Sequence, residues 1–365
     1  MKFSTLYSSL IIILTLSCCQ DDDIPKPPED TGPTPYSLEL PAHFFYISPP
    51  VIPEDNPLTL EGIALGKKLF FEKKLSRDNT ISCGSCHQPE NAFNDKGNTF
   101  SAGVDGTLGD VNAMPLFNLA WGSVTTKRFT WSGGARSLEQ QAFVPVIHLK
   151  EMKETWPNVT SKLQNDATYP PLFNAAFKTT IIDSNLVVKA IAQFERTLIS
   201  GNSRVDKHVQ KEIAGLDIPG GPFLTAQEER GFDLFEDEGK GDCAHCHGTY
   251  TNPLWTDNRL VNNGLDANPD SGLASVTKNS MDLGKFKTPS LRNLIFTAPY
   301  MHDGRFNTIR EVVDFYMDDI NFNSPNIEAV IVKPRTLNNA EREDLVAFLE
   351  ALTDSSFVTN TDFHP

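Results

Sequence analysis

One five-residue pattern, present twice, constrains this chain more than any other feature. Cys-x-x-Cys-His occurs as CGSCH at residues 83–87 and as CAHCH at residues 243–247. Two cysteines at this spacing, followed directly by histidine, are typical of covalent c-type haem attachment, with the histidine as an iron ligand. A zinc site would pair two Cys-x-x-Cys knuckles at short spacing, and a thioredoxin-type redox pair would lie in a βαβ context, which is absent here. We therefore predict two covalently bound haem c groups, held by Cys83, Cys86, His87, Cys243, Cys246 and His247.

The haem motifs belong to a longer internal repeat. Residues 64–87 and 229–247 both run through Gly, two residues, Leu-Phe and a polar loop into the haem motif. Thr225 and Glu228 form a Ser/Thr-x-x-Glu capping box at the start of the second of these helices. One unit, a helix that delivers its chain to a haem, is therefore present twice.

The rest of the chain is also predominantly helical in pattern. Twenty-five Pro and 23 Gly separate the helices by long loops, and alternating strand patterns are nearly absent. Apolar residues at helical spacing predict further helices over residues 185–200, 308–319 and 339–353. The predicted fold class is mostly α, with two cytochrome c-like haem domains packed against each other and joined by long loops. Their predicted bounds are 41–210 for the N-terminal and 211–365 for the C-terminal haem c domain.

The N-terminus resembles an export signal. Lys2 precedes an apolar run at residues 10–17 that is too short to cross a bilayer. The run ends in Cys18 and Cys19, and either cysteine fits the lipidation site of a bacterial lipoprotein; an ordinary cleaved signal is the alternative. We predict a lipoprotein signal peptide at residues 1–19 and a disordered tether at 20–40, rich in acidic residues and Pro. The mature protein would then be lipid-anchored on the periplasmic side of a membrane.

The cysteine positions limit the possible disulfides, and the net charge limits the classes of possible binding partner. Two of the six cysteines lie at the end of the signal and four in the haem motifs, so none is left for a structural disulfide. The net charge of −15 argues against binding to nucleic acid or to an anionic membrane surface, because both would repel the chain. It suits a basic partner protein, or simple solubility.

Three further stretches carry a family resemblance. They are WSGGARSLEQQAFVPVIHLKEM at 131–152, FKTPSLRN at 286–293 and TAPYMHDGRF at 297–306. With the haem motifs, they make residues 45–355 resemble the bacterial di-haem cytochrome c peroxidase and MauG family. The resemblance implies that hydrogen peroxide is reduced at the N-terminal, peroxidatic haem. Electrons would arrive through the C-terminal haem from a small donor protein, a cytochrome c or a cupredoxin, and by analogy the protein would form a homodimer.

The resemblance also implies roles for residues near the first haem. Glu151 matches the family's catalytic glutamate, which would shuttle a proton between the two peroxide oxygens. Gln141 matches the glutamine that orients peroxide, and Trp131 matches a tryptophan that relays electrons between the haems. His148 lies where the family more often has Asn, and would tune Glu151 or reach the iron.

One face of the first haem is predicted to be open. Many family members carry a removable histidine ligand about sixteen residues after the first motif, where this chain has Gly103, and no histidine occurs between His87 and His148. An electron-carrying haem needs both axial positions filled, whereas a peroxide-cleaving haem needs one free. An open first haem is therefore expected, as in the MauG branch. The alternative is a ligand from elsewhere, with Met114, His148 and Met152 as candidates.

The second haem is predicted to be closed. Tyr316 stands where the peroxidases have Met and the MauG branch has Tyr; Met317 and Met301 are the alternative ligands. A phenolate would lower the iron potential, whereas a thioether would raise it. The resemblance further implies a calcium ion bound by the Asn112 side chain and by the carbonyls of Thr297 and Pro299.

Two other functions stay open at the level of sequence. A MauG-like di-haem oxidase would keep this chemistry but direct it at residues of a partner protein. A non-catalytic electron-transfer cytochrome would have two six-coordinate haems and would not react with peroxide.

Overall fold

The computed structural model of the protein describes Met1, residues 32–122 and residues 128–365. The predicted signal peptide, Cys18 and Cys19, and most of the predicted tether lie outside the described residues. Within those residues, no helix combines the length and apolar character needed to cross a membrane. Residues 33–365 form one compact unit.

Thirteen α-helices lie within the described residues, and the only extended pairing of named strands there is a short antiparallel one between Leu260–Val261 and Phe286–Lys287. The helices are α1 Leu60–Phe70, α2 Cys83–Cys86, α3 Leu138–Ile147, α4 Trp156–Gln164, α5 Tyr169–Phe177, α6 Ser184–Thr197, α7 Arg204–His208, α8 Ala226–Glu236, α9 Ala244–His247, α10 Ala274–Thr277, α11 Ile309–Asp314, α12 Asn339–Ala351 and α13 Ser355–Val358. The mostly helical fold class predicted from the sequence is confirmed.

The predicted helices are present with two changes at their ends. The helix expected over 185–200 is α6, which ends at Thr197, and the helix expected over 339–353 is α12. The prediction of one continuous α-helix over 308–319 is wrong in its second half. The helix α11 ends at Asp314, and the chain continues as a π-helix over Phe315–Asp319. Such widened turns often lie at functional sites. The capping box of Thr225 and Glu228 begins α8 as predicted.

The internal repeat has a structural reason in its glycines. In α1, a Cβ atom on Gly66 would overlap the carbonyl oxygen of Ala190 in α6. In α8, a Cβ atom on Gly231 would overlap the carbonyl oxygen of Asp344 in α12. Each glycine therefore lets the helix before a haem motif touch the backbone of a long partner helix, and the same helix pair is built twice.

Two hydrophobic cores follow from these pairs. The first is formed mainly by α1, α3, α4, α5 and α6, and Phe357 and Val358 of α13 return to it from the end of the chain. The second is formed mainly by α8, α11 and α12, with Trp255 between them in sequence. The division of the chain at residues 210 and 211 stays a prediction.

Candidate active site

The first Cys-x-x-Cys-His motif is a single helical turn with a fixed histidine. Ser82 and Ser85 form a capping box for α2, and the His87 backbone N–H donates to the Cys83 carbonyl at 2.9 Å. The His87 Nδ1 atom lies 2.9 Å from the Phe93 carbonyl oxygen. Because that carbonyl can only accept, Nδ1 carries the proton and Nε2 keeps the lone pair that a metal requires. Burial lowers the pKa of His87, which also favours the neutral ring.

The second motif repeats this arrangement. The His247 backbone N–H donates to the Cys243 carbonyl at 3.1 Å, and its Nδ1 atom lies 3.1 Å from the Trp255 carbonyl. Burial again lowers the pKa of the imidazole. None of the four motif cysteines is in a disulfide, and all four are of intermediate burial.

A large cavity adjoins the second motif. It encloses about 1520 Å³ of space not filled by protein atoms, part of it open to solvent, and most of its lining is apolar. Lining residues include Cys243, His247, Trp131, Phe235, Leu349 and Tyr316. Two thiols, an imidazole with a free Nε2 and an apolar wall together match a covalently attached porphyrin, so the residues present fit a haem.

Trp131 lies in the wall of this cavity and is buried. Its indole Nε1–H donates to the Asn112 carbonyl at 2.8 Å, and its own carbonyl accepts from the Lys287 backbone N–H at 2.8 Å. These two bonds hold Trp131 between the segment that follows the first motif and the short strand Phe286–Lys287, which lines the cavity beside the second motif. Its role in electron relay remains a prediction.

Tyr316 lies on the π-helix and is directed into the same cavity. Its hydroxyl oxygen accepts a hydrogen bond from Asn263 Nδ2 at 3.0 Å, and burial raises its pKa to about 12. Met317 also lines the cavity but packs on the second hydrophobic core, and the Met301 Sδ atom lies 3.8 Å from the same Asn263 Nδ2. Because neighbouring residues both reach the cavity from the π-helix, direction alone does not select the ligand. Asn263 donates to both Tyr316 and Met301, so Tyr316 as the ligand of the second haem stays a prediction.

The distal residues predicted for the first haem lie on α3 and on the turn that follows it. Gln141 lies on α3, and its buried Oε1 atom has no hydrogen-bond partner among the residues that the structure describes. After α3 the chain turns back on itself, since Glu154 N–H donates to the Val146 carbonyl at 2.8 Å. The turn carries Glu151, whose Oε1 atom lies 3.1 Å from His148 Nδ1.

Electrostatics link Glu151 to the first haem motif. Burial and, to a smaller degree, the Glu151 carboxylate raise the pKa of both the Cys83 and the Cys86 thiols. Burial also raises the pKa of Glu151 itself, and the neighbouring His148 opposes that rise. The turn that carries Glu151 is also held beside the first motif by the backbone, because Arg77 N–H donates to the Met152 carbonyl and Val104 N–H donates to the Glu151 carbonyl, both at 3.0 Å.

Gly103 packs tightly against this turn. A Cβ atom on Gly103 would overlap the carbonyl oxygen of Lys150, and Val104 N–H donates to the Glu151 carbonyl at 3.0 Å. The loop therefore lies directly against the Glu151 turn, and this arrangement has no room for any side chain at position 103, a histidine included.

The other candidate ligands of the first haem differ in their surroundings. Met152 is buried in the first hydrophobic core. The backbone of Met114 lies close to the His87 imidazole. His148 contacts Glu151, as described above. None of these contacts identifies a sixth ligand.

The residues predicted to bind calcium lie near one another. Asn112 Nδ2 donates to the carbonyls of Asn98 and Thr99 at 3.2 Å each, which leaves its Oδ1 atom as the ligand atom on offer. Asn112, Thr297 and Pro299 all line the cavity beside the second motif. The calcium ion itself remains a prediction.

Sequence reasoning missed three polar residues that line the cavity beside the second motif. They are Asn263, which donates to Tyr316; Lys287, whose pKa is lowered to about 8 by burial; and Arg335, whose buried Nε has no partner among the described residues. Asn263 and Arg335 lie in stretches with no motif, so no sequence signal marks them. Lys287 lies within the motif FKTPSLRN. The family resemblance identified this motif but implied no role for the lysine.

Comparisons with known proteins show what the chain is similar to. The family model for di-haem cytochrome c peroxidase matches residues 60–214. The chain is 37% identical over 303 residues to the methylamine utilization protein MauG of Methylorubrum extorquens, covering 82% of this chain and 80% of that protein. It is 33% identical to the cytochrome-c peroxidase IdrP1 of Pseudomonas sp. strain SCT, covering 86% of each chain. A crystal structure of a MauG-like protein associated with microbial copper homeostasis has a TM-score of 0.77 and 33% identity, covering 90% of this chain and 98% of that one.

Proposed function

The chain belongs to the di-haem cytochrome c peroxidase family, and we propose that it is an exported enzyme that reduces hydrogen peroxide in the pocket around Cys83, Cys86 and His87. The overall reaction is H₂O₂ + 2 e⁻ + 2 H⁺ → 2 H₂O. Family membership implies two haem groups, which when bound would pass the two electrons from a donor protein to peroxide. We propose that both are attached covalently through the two Cys-x-x-Cys-His motifs.

The protein's own contribution is to bind peroxide and to move its proton. Gln141 would orient peroxide through the Oε1 atom that has no partner within the described part of the chain. Glu151 would take a proton from one peroxide oxygen and deliver it to the other, which is general acid–base catalysis. The observation that carries this proposal is that backbone hydrogen bonds from Arg77 and Val104, on either side of the first motif, hold the Glu151 turn beside that motif.

Electrons would enter through the second haem. His247 and Tyr316 would provide its axial ligands, and Trp131 would relay electrons toward the first haem. The acidic net charge of −15 suits a basic donor such as a small cytochrome c or a cupredoxin. A periplasmic location with a lipid anchor at Cys18 or Cys19 would bring the enzyme to such donors.

Oxidation of a partner protein is the second candidate. One observation favours it: Gly103, which stands where many relatives have a removable histidine, lies against the Lys150 carbonyl and leaves no room for a side chain. The pocket would be the same, but the oxidising equivalents would be consumed by a client protein instead of a small donor.

Electron paramagnetic resonance of the resting, oxidised, haem-loaded protein tests the proposal. A high-spin signal beside a low-spin signal, together with rapid loss of the resting spectrum on adding hydrogen peroxide, is the expected result. Low-spin signals alone, with no response to peroxide, would establish a non-catalytic electron carrier. Turnover with a reduced cytochrome then separates peroxide reduction from oxidation of a partner protein.

Tyr316→Met is expected to raise the reduction potential of the second haem, because a thioether stabilises the reduced iron relative to a phenolate. The measurement is a spectroelectrochemical titration of both haems. Met317→Leu is the matched control on the same π-helix, and it should leave both potentials unchanged. A shift in the control and none in Tyr316→Met would instead identify Met317 as the ligand.

Gly103→Ala is expected to slow the reaction with peroxide by roughly ten- to a hundredfold. The added Cβ atom must displace the Lys150–Glu151 backbone, and small misplacements of a catalytic group cost rate on this scale. Gly109→Ala is the control in the same loop, because a Cβ atom there makes only ordinary contacts. Equal rates for the two variants, measured by stopped-flow absorbance, would show that the contact of Gly103 does not position Glu151.

A further inference from the structure

Asn263 lies two residues after the short strand Leu260–Val261 and lines the cavity beside the second motif. Its Nδ2 atom donates to the Tyr316 hydroxyl oxygen at 3.0 Å and to the Met301 Sδ atom at 3.8 Å. The oxygen is the stronger acceptor of the two, because a thioether sulfur accepts hydrogen bonds only weakly. The main effect of this amide is therefore on the phenol oxygen.

The backbone on both sides of Asn263 is held in place. Before it, the buried Asn262 side chain donates to Ser324 Oγ at 2.8 Å. After it, the Gly264 carbonyl accepts from the Asn321 backbone N–H at 2.8 Å. Ser324 and Asn321 both belong to the segment that follows the π-helix. The position of the amide is thus fixed relative to the element that carries its acceptor.

The π-helix is held from its other side. Arg342 of α12 donates to Asp314 at 2.7 Å and to Asp318 at 2.9 Å. These two aspartates lie two residues before and two residues after Tyr316, which is about half a helical turn in each direction. The guanidinium therefore holds the face of the helix that is turned away from the cavity, while Tyr316 reaches the cavity from the opposite face. The donor and the acceptor of the hydrogen bond are both on anchored backbone.

We propose that Asn263 is a positioning residue that directs the phenol oxygen of Tyr316 and, through it, sets the reduction potential of the second haem. This inference rests on the proposed function, in which Tyr316 is an axial ligand of that haem. A hydrogen bond donated to an oxygen ligand withdraws electron density from the oxygen, so the oxidised metal is stabilised less. Such outer-shell bonds also fix the orientation of the ligand ring. Asn263 therefore keeps the potential above the value that Tyr316 without this bond would give.

Asn263→Ala is the first test variant, because it removes the donor and adds no new group. We expect a roughly tenfold shift of the second haem's redox equilibrium toward the oxidised form, which for a one-electron couple lowers the potential by about 59 mV. Asn263→Asp has almost the shape of Asn but places a negative charge beside the oxygen, so it should lower the potential further. The measurement is a spectroelectrochemical titration of the haem-loaded protein. An unchanged second potential in both variants would overturn the proposal.

The first haem and an exposed asparagine serve as controls. The potential of the first haem should not move in either Asn263 variant, and equal shifts of both haems would indicate a general structural effect and contradict the proposal. Asn323→Ala removes an exposed amide from the segment that anchors the neighbours of Asn263, and should leave both potentials at the parent values.

Two further variants identify the atom on which Asn263 acts. Met301→Leu removes the weaker acceptor and should not reproduce the shift of Asn263→Ala. In a Tyr316→Met background, Asn263→Ala should have little further effect, because the phenol oxygen is gone. A full shift in that background would show that Asn263 acts elsewhere and would contradict the proposal.

The test uses no peroxide, so its outcome is separate from that of the proposed activity. Loss of potential in the Asn263 variants would support the inference even if the protein did not reduce peroxide. If Tyr316→Met left the second potential unchanged, the inference would fall together with the proposed ligand, while peroxide reduction at the first haem could still be observed.

Discussion

Glu151→Gln is expected to slow the reaction with hydrogen peroxide by about 10²–10⁴-fold, the range typical of losing a general acid–base group. The amide has nearly the shape of the carboxyl but cannot take up and return a proton. Since burial raises the pKa of Glu151, the parent rate should also fall as the pH drops through that raised value and Glu151 becomes protonated. The variant should show a flat profile over the same range. Stopped-flow absorbance at several pH values measures both effects.

The resting spectrum and a nearby carboxylate serve as controls. Glu151→Gln should leave the resting electron paramagnetic resonance signals unchanged, because the substitution does not alter the metal ligands. Glu90→Gln removes an exposed carboxylate just after the first haem motif and should react at the parent rate. Unchanged turnover in Glu151→Gln would remove this residue from the mechanism.

Arg292→Met is expected to lower the free energy of unfolding by about 3–5 kcal/mol, the cost of leaving a buried charge without its partner. The guanidinium is fully buried and binds Asp206 through two hydrogen bonds, of 2.8 and 2.6 Å. His43 Nε2 lies 2.8 Å from the same carboxylate. Burial alone would raise the pKa of Asp206, but Arg292 and His43 together hold it well below its usual range. Urea unfolding of the haem-loaded protein, followed by far-UV circular dichroism, measures the loss.

An exposed pair of the same chemistry provides the control. Arg230 also binds an aspartate, Asp344, through two hydrogen bonds of 2.8 and 3.0 Å, but its side chain is 59% exposed. Arg230→Met should change stability little, because solvent screens an exposed pair. Similar losses in the two variants would mean that burial does not set the strength of the Arg292–Asp206 pair.

The haem motifs and their helices could be predicted because their information is local. Cys83, Cys86 and His87 lie within one helical turn, so their spacing specifies their geometry without reference to the rest of the chain. The capping box of Thr225 and Glu228 is equally local, and it begins α8 as expected. The π-helix over Phe315–Asp319 was not predicted, since its apolar spacing is close to that of an α-helix.

The pocket was only partly accessible from the sequence. The resemblance marked Gln141 and Glu151 by their spacing, and it marked the absence of histidine at Gly103. It did not reveal that Gly103 lies against the Lys150 carbonyl, or that Asn263 donates to Tyr316. Neither contact has a sequence signal, because each joins residues brought together by packing of separate segments.

The sequence by itself determined the two Cys-x-x-Cys-His motifs, the mostly helical character of the chain, and the family it resembles. All three depend on residues a few positions apart, whose relative geometry is set by backbone hydrogen bonding within one turn or one helix. Only the tertiary structure decided that the Glu151 turn is held beside the first motif by Arg77 and Val104, and that His43, Asp206 and Arg292 form one buried network. His43 and Asp206 are 163 positions apart, and such contacts are set by how separate segments pack together, which no local pattern specifies.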